Sequence, residues 1–124
     1  MESRVLIADD YPDAAESLAL LLRSAGVEAE VATDGEHALA HASRWRPQVC
    51  VLDIKMPKLD GCEIARRIRA QCWSERPLLI ALTGWTVARD RGEALAAGFD
   101  HWIYKPVDPA RLVGIIQHHL KRAL

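Results

Sequence analysis

No run of apolar residues in this 124-residue chain approaches the length needed to cross a bilayer, about 18 residues or more. The first eight residues are too short for a signal peptide and lack its small-residue cleavage pattern. The chain is therefore expected to be cytoplasmic, with no membrane partner. Neither sign of charge dominates: 16 Lys and Arg against 17 Asp and Glu leave a formal net charge of −1. That balance provides no electrostatic footprint for direct nucleic-acid binding. Cysteine is scarce, three residues with no CxxC spacing, so reduced thiols filling core or helix positions are expected rather than a disulfide framework. The glycine-rich GK loop of a P-loop nucleotidase is missing. There is no linker, low-complexity segment or second composition, and residues 1–124 are expected to form one domain, half of whose residues are apolar.

What the chain does have is a set of charged residues at the ends of short apolar runs. Asp9 and Asp10 follow Val5-Leu6-Ile7-Ala8, Asp53 follows Val49-Cys50-Val51-Leu52, and Lys105 follows Trp102-Ile103-Tyr104. Short apolar runs of this kind read as strands buried on both faces. If the strands are parallel neighbours, the three carboxylates converge on one sheet edge and the lysine faces them. Such a cluster of negative charge requires a cation. Carboxylate oxygens suit Mg²⁺, which takes one or two carboxylates, waters and a phosphate oxygen rather than a full protein cage. The pattern points to phosphoryl handling.

Strand-like and helix-like segments alternate five times. Strands are expected over 4–8, 28–32, 48–52, 78–82 and 101–104. The first helix begins near Pro12 and stops at Gly26, with Leu18, Leu21, Leu22 and Ala25 as its inward stripe. The second is capped by Asp34 and carries Ala38, Leu39 and Ala42; the third follows Gly61 and buries Ile64, Ala65 and Ile68. A weaker fourth helix spans roughly 86–97, and the last runs from about Asp108 with Leu112, Ile115, Ile116 and Leu120 facing in. Five such repeats imply a parallel sheet covered on both faces. With five strands the expected architecture is the α/β, flavodoxin-like, doubly wound (βα)5 fold in strand order 2-1-3-4-5. That order sets strands one and three side by side at the switch point where ligands bind.

Asp9-Asp10, the stretch from Asp53 through Met56-Pro57 to Asp60-Gly61, Thr83-Gly84 and Lys105-Pro106 resemble, in order and spacing, the receiver domain of two-component response regulators. The resemblance covers the whole chain. A weaker likeness, in Ala81-Leu82-Thr83-Gly84 and Gly98-Phe99-Asp100-His101, is to the receivers of hybrid sensor kinases. The resemblance implies that Asp53 accepts a phosphoryl group from a phosphohistidine on a histidine kinase or histidine phosphotransfer protein. Aspartyl phosphate formation needs little beyond in-line positioning and neutralised charge. Asp10 and Asp53 are assigned to Mg²⁺ directly, Asp9 directly or through water, and the Lys55 backbone carbonyl as a further ligand. Thr83 offers a hydroxyl and Lys105 an ammonium to the phosphoryl oxygens. The domain would catalyse only its own phosphorylation and dephosphorylation. In the resembled family the Lys105-Pro106 bond is cis, and the position of Trp102 usually holds a tyrosine or phenylalanine that moves with Thr83. Trp85, two residues after Thr83, is a candidate partner anchor. The face of the fourth helix, fifth strand and last helix is the expected output surface toward an unknown downstream protein, with the chain a monomer or a weak phosphorylation-dependent dimer.

The alternative is an Asp-nucleophile, Mg²⁺-dependent phosphatase of the haloacid-dehalogenase type, but that chemistry needs a second acid two residues after the nucleophile, where this chain has Lys55. A flavodoxin would need a hydroxyl-rich phosphate loop in place of Asp9-Asp10-Tyr11-Pro12. His37 and His41, four apart, read as a solvated helix face rather than metal ligands. Arg66, Arg67 and Arg69 read as a polar outer face, and His118 and His119 with Lys121 and Arg122 as complements of the helix dipole.

Overall fold

The computed structural model describes residues 3–84 and 88–122. Its elements alternate as β1 (Arg4–Ala8), α1 (Pro12–Ser24), β2 (Glu28–Ala32), α2 (Gly35–Trp45), β3 (Val49–Asp53), α3 (Gly61–Gln71), β4 (Leu78–Thr83), α4 (Ala88–Ala97), β5 (His101–Tyr104) and α5 (Pro109–Arg122). All four strand pairings are parallel and the sheet order is β2-β1-β3-β4-β5, the doubly wound flavodoxin-like order expected from the sequence.

Alternation along the strands divides the core into two layers. Leu6, Ala8, Cys50, Leu52, Leu79 and Ala81 meet α2, α3 and α4 on one face. Val5, Ile7, Val49, Val51, Ile80 and Leu82 meet α1 and α5 on the other. Cys50 and Cys62 fill core positions, and Cys72 is exposed. Burial of Cys50 pushes its thiol up to about 12, so it behaves as a small hydrophobe.

The helix starts follow local chemistry. Pro12 opens α1, while Asp34 and Asp60 cap α2 and α3 by accepting from the N–H groups of His37 and Glu63 at 2.9 Å each. Gly26 and Gly98 take φ of 85° and 103° just past α1 and α4, where a side chain would strain the turn. One expected stripe is corrected. Ala15, Leu18, Ala19 and Leu22 form the buried face of α1, whereas Leu21 is 45% exposed and Ala25 lies in solvent. Small alanines allow close approach to the sheet, so the helix turns its alanine edge inward and Leu21 outward.

Arg69 also departs from the expected outer face. Arg66 and Arg67 do lie outside, paired with Glu63. Arg69 is instead half-buried and donates to the carbonyls of Gly98 and Pro77 and to Asp100 Oδ2, at 2.8–3.0 Å. Asp100 in turn accepts from the Leu79 N–H at 2.9 Å and from Arg76. Burial works against ionisation of Asp100, but these donors win and hold its carboxyl below the usual carboxylate range. The network fastens α3 to the starts of β4 and β5.

Candidate functional site

Parallel pairing of β1 with β3, Ala8 opposite Leu52, brings the residues that follow to one crevice. Asp9, Asp10 and Asp53 each present a carboxylate oxygen, and these atoms all lie within 4.8 Å of one another. Asp9 and Asp53 are buried, at 3% and 4% exposure, while Asp10 faces solvent. Backbone donors fix two of the carboxylates: the Tyr11 N–H donates to Asp9 Oδ1 at 3.0 Å and the Lys55 N–H to Asp53 Oδ1 at 3.1 Å.

Lys105 arrives from the opposite side. β5 pairs with β4 so that Tyr104 lies opposite Thr83, and the Lys105 N–H donates to the Thr83 carbonyl at 2.7 Å. Its Nζ then donates to Asp53 Oδ2 at 2.8 Å and stands 3.6 Å from Asp9 Oδ2. The Lys105-Pro106 peptide bond is cis. Burial pushes the Asp53 carboxyl above its usual range; Lys105 and the Lys55 N–H pull it back, and Asp9 pushes it further up. Burial works against the Lys105 ammonium, but its hydrogen bond to Asp53 and the charges of Asp53, Asp9 and Asp10 hold it above the usual lysine value.

Asp10, Asp53, Lys55, Thr83 and Lys105 line a cleft of about 250 Å³. Thus the sequence-predicted residues meet in one place, with Thr83 buried at its rim. Three convergent carboxylates form a hard oxygen donor set of the kind that suits Mg²⁺, so the residues present fit that ion. Trp102 pairs with Ala81 and packs against the α2-α3-α4 layer, on the sheet face that Thr83 shares two residues further along β4. Trp85 lies outside the described residues. His37 and His41 face separate carboxylates, Asp34 and Glu30, at 2.7 and 2.8 Å.

Sequence reasoning missed how the loop carrying Lys55 is seated. The Gly35 N–H at the start of α2 donates to the Pro57 carbonyl, and a Cβ at Gly35 would collide with the Leu59 carbonyl oxygen. At the loop's other end a Cβ on Gly61 would come within 2.5 Å of the Asp53 carbonyl oxygen. Two glycines thus admit the backbone of residues 54–60 against its neighbours. The available signal was a glycine directly after the cap residue Asp34, where a helix former would otherwise sit. Lys105 and Asp9 also close one end of a groove of about 410 Å³, lined by Tyr11, Ala14, Leu18, Leu21 and Val107 between α1 and the start of α5.

The chain is similar to known proteins in sequence and in fold. Residues 5–117 match the family profile described as the response regulator receiver domain. The chain is 36% identical over 115 residues to an uncharacterised 14.6 kDa protein of Leptolyngbya boryana, covering 93% of this chain and 88% of that one. It is 39% identical to the transcriptional regulatory protein PrrA of Mycobacterium leprae, covering 96% of this chain but 50% of PrrA; several of the curated relatives it matches are likewise spanned only by about half. The solved receiver domain of the Francisella response regulator 1452 superposes with a TM-score of 0.89 at 28% identity, covering 99% of this chain and 100% of that one. With the strand order, the crevice between β1 and β3 and a profile match over most of its length all in agreement, this chain belongs to the receiver domains of two-component response regulators.

Proposed function

We propose that residues 1–124 act as a phosphorylation-activated switch in which Asp53 accepts a phosphoryl group from a phosphohistidine on a histidine kinase or histidine phosphotransfer protein. The observation that carries this reading is the contact of Lys105 Nζ with Asp53 Oδ2, 2.8 Å, inside a cluster of three carboxylates. A carboxylate held by a mobile cation at the mouth of a cleft has one oxygen fixed by backbone and one free to exchange its partner. When the phosphoryl group arrives, Asp53 attacks phosphorus, the bond to the donor imidazole nitrogen breaks, and Lys105 turns from the carboxylate to a phosphoryl oxygen. Thr83 donates its hydroxyl to a second phosphoryl oxygen.

Asp9, Asp10, Asp53 and the Lys55 backbone carbonyl would hold Mg²⁺, which supplies charge neutralisation at the phosphoryl oxygens. Tyr11 and Leu21, exposed and lining the same groove as Lys105, give the donor protein an apolar landing surface. Because the modified state differs only by contacts that the phosphoryl group itself makes, signalling is a population shift. Thr83 moves toward the group, Trp102 on the same sheet face follows, and the surface of α4, β5 and α5 changes for a downstream protein. The protein works in the cytoplasm as a monomer or a weak phosphorylation-dependent dimer, without contacting nucleic acid itself.

Acetyl phosphate with Mg²⁺ tests the assignment. Intact mass should show one phosphoryl addition that is lost in Asp53→Asn and in the presence of a chelator. Labelling that persists in Asp53→Asn would remove Asp53 as nucleophile.

A further inference from the structure

The loop that carries Lys55 contains a backbone conformation that no helix or strand end demands. Among the described residues three that are not glycine have positive φ: Arg46 and Cys72 at 50° and Lys58 at 71°. Arg46 and Cys72 are the C-caps of α2 and α3, where a left-handed residue is an ordinary helix stop. Lys58 caps no helix. The Leu59 N–H donates across it to the Pro57 carbonyl at 2.8 Å, and an i→i+2 bond with positive φ at its centre is a γ-turn of the rare, strained kind. Glycine or asparagine takes such a φ at least cost, yet the chain has lysine there. A strained turn persists only where its surroundings hold it, and such turns gather at sites whose geometry they fix.

The start of α2 holds this one. The Pro57 carbonyl also accepts from the Gly35 N–H at 3.3 Å, so one oxygen joins turn and helix. Beside it Lys58 Nζ stands 3.9 Å from Asp34 Oδ2. Asp34 divides its oxygens: Oδ1 accepts the His37 N–H that caps α2, while Oδ2 lies 2.7 Å from His37 Nδ1 and faces the Lys58 ammonium. A cation at position 58 thus gives the turn a second fastening to α2 that glycine or asparagine would not supply.

We infer that Asp34 and Lys58 are a positioning pair for the Mg²⁺ site: by fastening the strained turn to α2 they set where the Lys55 backbone carbonyl stands. Neither side chain touches the ion; both act through the loop, as outer residues that orient a metal's ligands do. The inference deepens the switch reading and rests on it for the identity of the ion. Because the Lys58 side chain is 55% exposed, the pair is worth little in energy, and its loss changes affinity by about two- to fivefold. The sign separates positioning from charge alone. Through space the Lys58 ammonium repels Mg²⁺, so its removal would tighten binding if charge were all that mattered. Positioning predicts the reverse.

Calorimetric titration of the whole chain with Mg²⁺ tests the pair. Lys58→Gln should bind about two- to fivefold more weakly, and so should Asp34→Asn, which keeps a side-chain oxygen for the α2 cap. The double variant should be no weaker than either single, Lys58→Arg should bind like the wild type, and raised salt should erase the differences. The metal-free protein gives a second readout. Amide hydrogen exchange at Gly35 and Leu59, both bound to the Pro57 carbonyl, should quicken in Lys58→Gln and Asp34→Asn by more than exchange in β1 and β3. Unchanged or tighter Mg²⁺ binding by Lys58→Gln, single effects that add in the double variant, or unaltered exchange at both amides would overturn the inference. Equal Mg²⁺ binding by the wild type and Asp53→Asn would instead overturn the metal assignment of the switch reading, and the amide exchange would still decide whether the pair fastens the turn.

Discussion

Replacing Asp53 by asparagine should make the metal-free protein more stable, although it removes the residue at the centre of the site. Asp53 stands within 4.8 Å of both Asp9 and Asp10, oxygen to oxygen, and 2.8 Å from the Lys105 ammonium. At an effective dielectric of about 20, two repulsions at that distance total about 7 kcal/mol and the single attraction returns about 6 kcal/mol. The remainder, together with the cost of burying the charge, predicts a net gain of about 1–3 kcal/mol for the asparagine variant. The amide oxygen can still accept from the Lys55 N–H, so the loop keeps its anchor. A domain of this size gains roughly 3–6 °C per kcal/mol.

The sign follows from the direction of the Asp53 shift. Its folded-state carboxyl lies above its unfolded value, so its contribution favours folding at low pH and is lost as pH rises through the folded value. The advantage of Asp53→Asn should therefore be present at pH 7.5 in chelator and shrink as pH falls toward the carboxylate range. Mg²⁺ should stabilise the wild type by roughly 1–3 kcal/mol at saturating excess and the variant by less, closing the gap from the other direction. Thermal melts followed by circular dichroism across pH, with and without Mg²⁺, measure all of this. A variant that melts below the wild type at neutral pH without metal would refute the charge accounting.

Asp100→Asn should cost about 1–3 kcal/mol, because it weakens the acceptor shared by Arg69, Arg76 and the Leu79 N–H. Since Asp100 titrates below its ordinary value when folded, the difference from wild type should be full above the usual carboxylate value and vanish as pH falls through the depressed one; urea melts at pH 7 and pH 3 compare the two. Gly35→Ala should destabilise the fold by about 2 kcal/mol or more and, in whatever fraction remains folded, weaken Mg²⁺ binding by calorimetry, since its Cβ would drive the Leu59 carbonyl and the Lys55 loop outward. Unchanged Mg²⁺ affinity in folded Gly35→Ala would show that the loop seat does not position the site. Lys55→Asn combined with Trp85→Ala should quicken loss of the phosphoryl group several-fold, as an amide that orients water replaces an ammonium and a bulky indole is removed; an unchanged or slower rate by radiolabel would count against it.

Much of the site was legible in the chain because strand ends are local events. A short apolar run that stops at an acid or a lysine announces both where a strand finishes and what it presents there, and parallel order then gathers Asp9, Asp10, Asp53 and Lys105 without any knowledge of side-chain geometry. Asp34 as a cap, Gly26 and Gly98 as helix stops, and the inward Ile64, Ala65 and Ile68 follow from the same short-range rules. The outcomes that only the tertiary structure decided depend on residues far apart in sequence. Arg69 looks like one more surface arginine until Pro77, Gly98 and Asp100 are folded around it. Leu21 belongs to a helical stripe by spacing, yet α1 turns Ala15 and Ala19 to the sheet because close packing rewards small residues there. Gly35 is an ordinary glycine until the Leu59 carbonyl is laid against it. Whether Lys105 reaches Asp53 is a matter of ångströms across 52 residues of chain. Hydrophobic period and turn chemistry act over a few residues, whereas these contacts are set by which backbones the finished sheet brings together.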